Sequence, residues 1–259
     1  MESLRLYFRE LHYLQNYIMF ILIMTVLSYS VYFFFDQATV ASLGDEDHFF
    51  EWMTSLSFLF CSIIFLYLTA KKRNIILFLM AAAFFVGFGE EISWGQRILG
   101  FETPESLYAI NMQKEFNFHN IMTWEINFVF KLFTLCFGIL LPFCVFHFRG
   151  VSNLARRMRI PVPPVTLGIF FLADWIVFRL FVQFVLVEGA TPKYYFACTE
   201  IYEFITSLVL LVISIFFLVH RRLIAEGTDI KEHLESDATR ESIPLIPVKY
   251  LNRLFSWIF

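Results

Sequence analysis

Six apolar runs, each close to the length that crosses a bilayer, constrain this chain more than anything else in it. They cover residues 17–35, 52–70, 74–92, 122–147, 163–187 and 201–220. A span needs about twenty mostly apolar residues, and backbone placed in hydrocarbon must satisfy its own hydrogen bonds, which a helix does. The expected fold is therefore all-α, a polytopic transmembrane bundle of about six spans. Composition points the same way, with 58% apolar and only 17% charged residues, and 35 Phe. Soluble domains run at roughly 45–50% and about 25%. A soluble globular enzyme, a disordered chain and a secreted disulfide scaffold are thereby excluded. A net charge of −3 gives no electrostatic footprint for nucleic acid.

The basic residues set the expected orientation. Arg5 and Arg9 precede the first span, and Lys71, Lys72 and Arg73 separate the second from the third. Arg149, Arg156, Arg157 and Arg159 lie between the fourth and fifth, and Arg221 and Arg222 follow the sixth. The opposite loops carry only Arg97, Lys114 and Lys193. By the positive-inside rule both termini are cytoplasmic. The first run is too long for a signal-peptide core and lacks a small-x-small cleavage site, so it is expected to remain as an anchor.

Three regions follow from this layout. Residues 1–16 place Leu4, Tyr7, Phe8, Leu11 and Leu14 on one helical face, which suits an amphipathic helix on the inner leaflet. Residues 17–220 form the six-span domain, with a loop helix expected at 101–118 because Thr103-Pro104-Glu105 reads as an N-cap followed by proline at the first helical position. Residues 221–259 make a polar cytoplasmic tail whose last stretch, 249–259, is apolar enough to return to the membrane surface. The cysteines form no CxxC pair and read as packing residues.

Charges at membrane depth cost several kcal/mol unless they meet a partner or a wet cavity, so their placement locates a site. Here they gather in the outer halves of the spans. Glu51 opens the second span three residues after His48, with Ser55 and Ser62 continuing its stripe. The third span ends in Glu90-Glu91-Ile92-Ser93-Trp94-Gly95-Gln96-Arg97, carboxylates at a helix C-terminus where the helix dipole disfavours them. Continued helical spacing would stack Glu90, Trp94 and Arg97 on one face, with Glu91 about 100° away. His119 and Asn120 precede the fourth span, and Asn120, Trp124, Asn127 and Lys131 recur at helical spacing. Asp174, Arg179 and Gln183 lie in the fifth span, and Glu200 and Glu203 open the sixth. Lys131 and Arg179 are expected to pair with carboxylates on other spans.

This pattern nominates Glu90, Glu91, His119 and Glu51 for acid–base catalysis. Trp94, Arg97, Asn120, Lys131 and Arg179 are nominated to hold substrate. His48, His119 and Glu91 form a candidate set for a divalent metal such as zinc, since only these two histidines reach the outer side. The sequence lacks H-E-x-x-H, G-x-S-x-G, a Walker A loop and a G-x-G-x-x-G turn after a strand.

The stretch from Glu90 to Arg97, with Glu102-Thr103-Pro104-Glu105, Phe118-His119-Asn120 and Glu51-Trp52 followed by Thr54, resembles an uncharacterised family of bacterial polytopic membrane proteins. The resemblance covers roughly residues 45–125. It implies a multi-pass protein of the bacterial inner membrane and no particular activity. Similarity to the seven-span amide hydrolases that include alkaline ceramidases is only distant, because their H-x3-H pair and their spaced serine and histidine are missing and one span is lacking. The expected function is an integral-membrane enzyme with a polar chamber open to the outer leaflet, hydrolysing or transferring part of a lipid or lipid-linked substrate. The competing expectations are an ion-coupled transporter and a non-catalytic membrane subunit or sensor. The sequence carries no signal of oligomeric state.

Overall fold

The computed structural model describes residues 2–44, 48–111, 114–184 and 191–220, with the side chains of 2–13, Arg97, Thr123 and Trp124 excluded. The acidic Asp45-Glu46-Asp47 and the expected polar tail lie outside the described residues. Among those described, all regular structure is helical.

Helix α1 runs unbroken through Glu2–Phe34. The expected surface helix and first span are thus one helix of 33 residues, about 50 Å long at 1.5 Å per residue. Leu14 and Ile21 are both fully buried, so one apolar face crosses the expected junction and nothing there stops the helix. A short α2 (Gln37–Leu43) follows, which the sequence reading did not include. Asp36 is its N-cap, and Oδ1 accepts the N–H groups of Ala38 and Thr39 at 2.9 and 3.0 Å. These bonds, led by that from Thr39, hold the exposed Asp36 carboxyl below its ordinary range.

Helices α3 (Phe49–Lys72) and α4 (Ile75–Glu91) form a hairpin with only Arg73 and Asn74 between them. Arg73 takes a left-handed conformation, φ 49°, and Asn74 caps α4 by accepting the Ile76 N–H at 2.7 Å. The Asn74 amide donates to the carbonyls of Met158 and Arg159 at 3.1 and 2.9 Å. The hairpin turn is thereby tied to the later basic segment. Ser62 donates to the Ala81 carbonyl at 2.9 Å, joining the two helices in mid-span.

Past the short α5 (Gln96–Leu99) and α6 (Glu105–Tyr108), the chain re-enters the bundle as α7 (Thr123–Leu135). A π-turn over Cys136–Leu140 leads into α8 (Leu141–His147). Gly138 in that turn meets Gly168 so closely that a Cβ on Gly168 would lie 1.7 Å from the Gly138 carbonyl oxygen. Two glycines allow this crossing, and larger residues would separate the helices. Helix α9 (Arg149–Met158) is amphipathic and carries Arg149, Arg156 and Arg157 outward. Its exposed Leu154 and Met158 suit an interfacial position.

Helix α10 (Val165–Phe184) and helix α11 (Pro192–Val219) complete the bundle. The sixth apolar run was expected to start near residue 201, but α11 begins nine residues earlier. Thr191 caps it by accepting the Tyr194 N–H, and Pro192 occupies the first turn. Helix α11 is the central post: 78% of its apolar window is buried, against 22% for the first span.

Among the described residues, five helical segments are long and apolar enough to cross a membrane: Leu14–Phe34, Phe49–Lys72, Glu125–His147, Val165–Phe184 and Pro192–Val219. The chain is a multi-pass membrane protein. Helix α4, at 17 residues, sits at the lower edge of span length, roughly 17–25 residues. It still returns across the bundle, because the hairpin reverses direction and Glu91 at its far end comes within electrostatic reach of Glu51 at the start of α3. One end of the bundle gathers Lys71, Lys72, Arg73 and the α9 arginines, and the other gathers carboxylates. An apolar core including Leu14, Phe65, Leu77 and Phe216 fills the basic half. A second core including Tyr29, Phe50, Phe181 and Tyr202 fills the acidic half.

Candidate functional site at the acidic end

Helix α4 stops at Glu91 because the next residues turn left-handed: Ser93 at φ 45°, Trp94 at 52° and Gly95 at 78°. Two non-glycine residues held there cost conformational energy that their contacts must offset. The expected helical stack of Glu90, Trp94 and Arg97 is therefore corrected, since helical spacing ends before Trp94. Trp94 still reaches Glu90, its indole N–H donating to Oε1 at 2.7 Å. Gly89 makes room for the ring, because a Cβ there would lie 2.9 Å from it. The side chain of Arg97 lies outside the described residues.

Glu90 also anchors the returning loop. Its Oε2 accepts the backbone N–H groups of Phe118 and His119 at 2.7 and 2.9 Å. The His119 ring nitrogen Nδ1 lies 3.7 Å from the same oxygen, too long for a hydrogen bond but close enough for attraction when the ring is charged. Nδ1 is buried without a hydrogen-bond partner.

A polar network holds the loop beneath this anchor. Ser93 donates to Glu115, and the Asn117 amide donates to Ser93 Oγ and Glu115 Oε2, both at 3.0 Å. The Asn111 amide reaches Asn117 Oδ1 at 2.8 Å. Gln96 bridges Thr103 and the Phe116 N–H, at 2.7 Å each. None of Asn111, Glu115 or Asn117 was singled out from sequence, although each is buried. The loop helix expected at 101–118 shrinks to Glu105–Tyr108. Thr103 is not its cap, because the hydroxyl accepts from Gln96 and donates to the Lys114 carbonyl at 2.8 Å instead. Pro104 takes the cap position.

Glu91, one residue on, has a different environment. It is half-buried and, among the described residues, makes no hydrogen bond. It lies within electrostatic reach of Glu203, Glu200, Glu51 and Glu90. Glu203 is likewise half-buried between buried neighbours, without a hydrogen bond among the described residues, and lies within electrostatic reach of His119 and Lys131. The Lys131 ammonium sits 5.8 Å from the Tyr202 ring centroid. The structure thus brings Glu51, Glu90, Glu91, His119 and Lys131 to one place. It adds Glu200 and Glu203, which the sequence reading treated as bundle charges. Their signal was there to read, as two carboxylates three apart on an apolar helix.

Other nominated residues lie apart from this group or beside it. Asn120 is buried next to His119, and its Nδ2 has no partner. His48 is exposed at the start of α3 and makes no side-chain cap bond. Arg179 is exposed on α10 between exposed Ile176 and Leu180, and among the described residues no carboxylate forms an ion pair with it. The expected pairing of Arg179 is corrected: five residues from the helix end, it can reach the interface along its own stem. Lys131 is also exposed and forms no ion pair among the described residues, so it acts on Glu203 through space.

Among the described residues, no three His, Cys, Asp or Glu side chains are placed to hold a metal ion. The expected set of His48, His119 and Glu91 does not assemble as ligands. No family model, curated protein or solved structure matches the chain.

Proposed function

We propose that this protein is an integral-membrane enzyme performing acid–base hydrolysis or transfer on a lipid or lipid-linked substrate. Its site would open to the outer leaflet of a bacterial inner membrane. The observation that carries the proposal is the contrast in hydrogen bonding among the clustered carboxylates. Glu90 spends its oxygens on Trp94 and the loop backbone, whereas Glu91 and Glu203 leave theirs unspent within reach of each other. Two carboxylates so placed cannot both ionise cheaply, and one proton shared between them supplies an acid and a base together.

In this mechanism one carboxylate takes the proton of the attacking hydroxyl or water while its partner protonates the leaving oxygen or nitrogen. Glu90 is a positioning residue. It fixes the His119 backbone and faces Nδ1, which leaves Nε2 as the nitrogen free to exchange protons with the Glu203 side. Lys131 supplies positive charge for an anionic headgroup. The lipid reading rests on the surface around it: Phe128, Val129, Leu132 and Leu135 are all exposed on the same helix, so an acyl chain can lie along α7 while its headgroup meets Lys131. The positive-inside pattern puts this end outward.

A carrier reading fits less well, because the basic half is packed with Leu, Ile and Phe side chains and offers the charges no continuation. The test is direct. Full-length protein in liposomes of bacterial lipid extract is incubated, and the lipids and released headgroups are profiled by mass spectrometry. Turnover by the wild type that falls in Glu91→Gln and Glu203→Gln supports the proposal. No change in any lipid species, or full turnover in both variants, overturns it.

A further inference from the structure

The basic end of the bundle, which the proposed chemistry leaves unused, carries positive charge that its own segments do not offset. Lys71, Lys72 and Arg73 close α3, and Arg156, Arg157 and Arg159 close α9. The sequence has no Asp or Glu from residue 52 to 89 or from 126 to 173, so neither segment brings a carboxylate of its own. Arg73 and Arg159 are exposed and, among the described residues, form no ion pair. Cations at a helix C-terminus complement the dipole, but two such ends carry roughly one negative charge between them. Six basic side chains exceed that several-fold.

Arg73 and Arg159 are also drawn together. Each takes a left-handed conformation just past its helix, φ 49° and 52°. Asn74, buried and next after Arg73, donates its amide to the Met158 and Arg159 carbonyls at 3.1 and 2.9 Å. The hairpin turn and the end of α9 thus make one corner with an arginine on each side. Like charges so placed repel, and an anion between them lowers the energy. The surroundings say which anion. Ile75, Phe78 and Leu79 lie exposed on one face of α4, starting one residue past Asn74, and Leu154 and Met158 lie exposed on α9. A free anion has no use for apolar surface, whereas a lipid headgroup arrives with acyl chains attached.

We propose that this corner binds an anionic phospholipid. Arg73 and Arg159 grip the phosphate, their paired N–H donors matching its oxygens. The acyl chains lie along the exposed side chains of α4 and α9. The remaining cations of the corner favour a lipid of net negative charge over a zwitterion. Asn74 is the positioning residue that keeps the two arginines side by side. The site lies at the opposite end from the carboxylate cluster, is independent of the enzymatic reading, and stands or falls separately.

Thermal unfolding of the full-length protein in detergent tests it, with phosphatidylglycerol, phosphatidylcholine of the same chains, or soluble glycerol 3-phosphate added. A ligand of the folded state raises the midpoint by mass action. Phosphatidylglycerol should give a saturating rise that the other two do not. Arg73→Gln and Arg159→Gln should each move half-saturation upward about tenfold, the loss of one charge-assisted hydrogen-bonding partner. Arg149→Gln, at the far end of α9 and about 14 Å from Met158 at 1.5 Å per residue, should leave it unchanged. An equal rise with phosphatidylcholine would overturn the proposal, as would no rise at all. An equal rise with glycerol 3-phosphate would show a site for soluble phosphate and overturn the lipid. Arg149→Gln weakening the response as much as the other two would show diffuse surface charge and overturn the corner. Native mass spectrometry of the wild type in an equal mixture of the two lipids needs no substitution. It should find one phosphatidylglycerol retained, and retention of both lipids in proportion refutes the site.

Discussion

The two ends of α4 solve the same problem with opposite results. At the basic end Asn74 spends its whole amide on backbone, one oxygen to Ile76 and one nitrogen to two carbonyls. At the acidic end Glu90 does likewise, with an indole and two loop N–H groups. Glu91 then breaks the pattern, keeping its oxygens uncommitted beside four other carboxylates. A polar side chain that satisfies backbone holds structure. One left unsatisfied at comparable depth is retained for something other than stability, because like charges there work against the fold.

The largest expected effect separates those roles. Glu91→Gln and Glu203→Gln should each lower lipid turnover by about 100- to 10,000-fold, with unfolding midpoints unchanged or raised as repulsion is relieved. A lowered midpoint would put Glu91 in the same class as Asn74. Next comes Glu90→Ala, which strands two backbone donors and an indole at a cost of about 3 kcal/mol. Limited proteolysis should then find the 101–118 loop, and an uncut loop would show that the Ser93–Glu115–Asn117 network suffices alone. Asn74→Ala should cost less, about 1–2 kcal/mol, since its carbonyl partners lie near water. It should leave turnover intact, and a loss of activity would deny that the two ends are separable.

The smallest effect concerns Asp36, outside the spans. Its carboxyl is held low by the N–H groups it caps, so the folded value lies beneath the unfolded one. The cap therefore contributes fully at neutral pH, above the ordinary carboxylate range, and is lost as pH falls through the lower folded value. Protection factors across Gln37–Leu43, measured against the intrinsic exchange rate at each pH, should fall in acid, and Asp36→Ala should lack that protection at every pH. A protection factor that ignores pH would mean that packing of Val40, fully buried, secures α2 without its cap.

The sequence made the spans legible because hydrocarbon imposes one rule, helix, on every apolar run of sufficient length. It made the gathering of Glu51, Glu90, Glu91 and His119 legible because spans of alternating direction place alternate ends together. The loop was less readable. Its course depends on left-handed Ser93 and Trp94, residue types with no intrinsic preference for that conformation, so the partners Asn111, Glu115 and Asn117 had no local signal. Arg179 was misplaced for another reason: a long side chain near a helix end has the interface as an alternative to a partner. Glu200 and Glu203 were misjudged because the start of α11 was set too late, at the first strongly apolar residue instead of the Thr191-Pro192 cap.

The short connection between α3 and α4 bears on how the protein is made. With two residues between the helices, neither can settle in the bilayer while the other waits outside. In the orientation expected from the positive-inside rule, the pair partitions as one object with its tip of Lys71, Lys72 and Arg73 on the cytoplasmic side. Glu51, Glu90 and Glu91 sit at the open end of that object, so in that orientation membrane insertion itself carries them across. The carboxylates thus reach their shared depth together, and α7 and α11, which follow them in the chain, are assembled around that charge cluster.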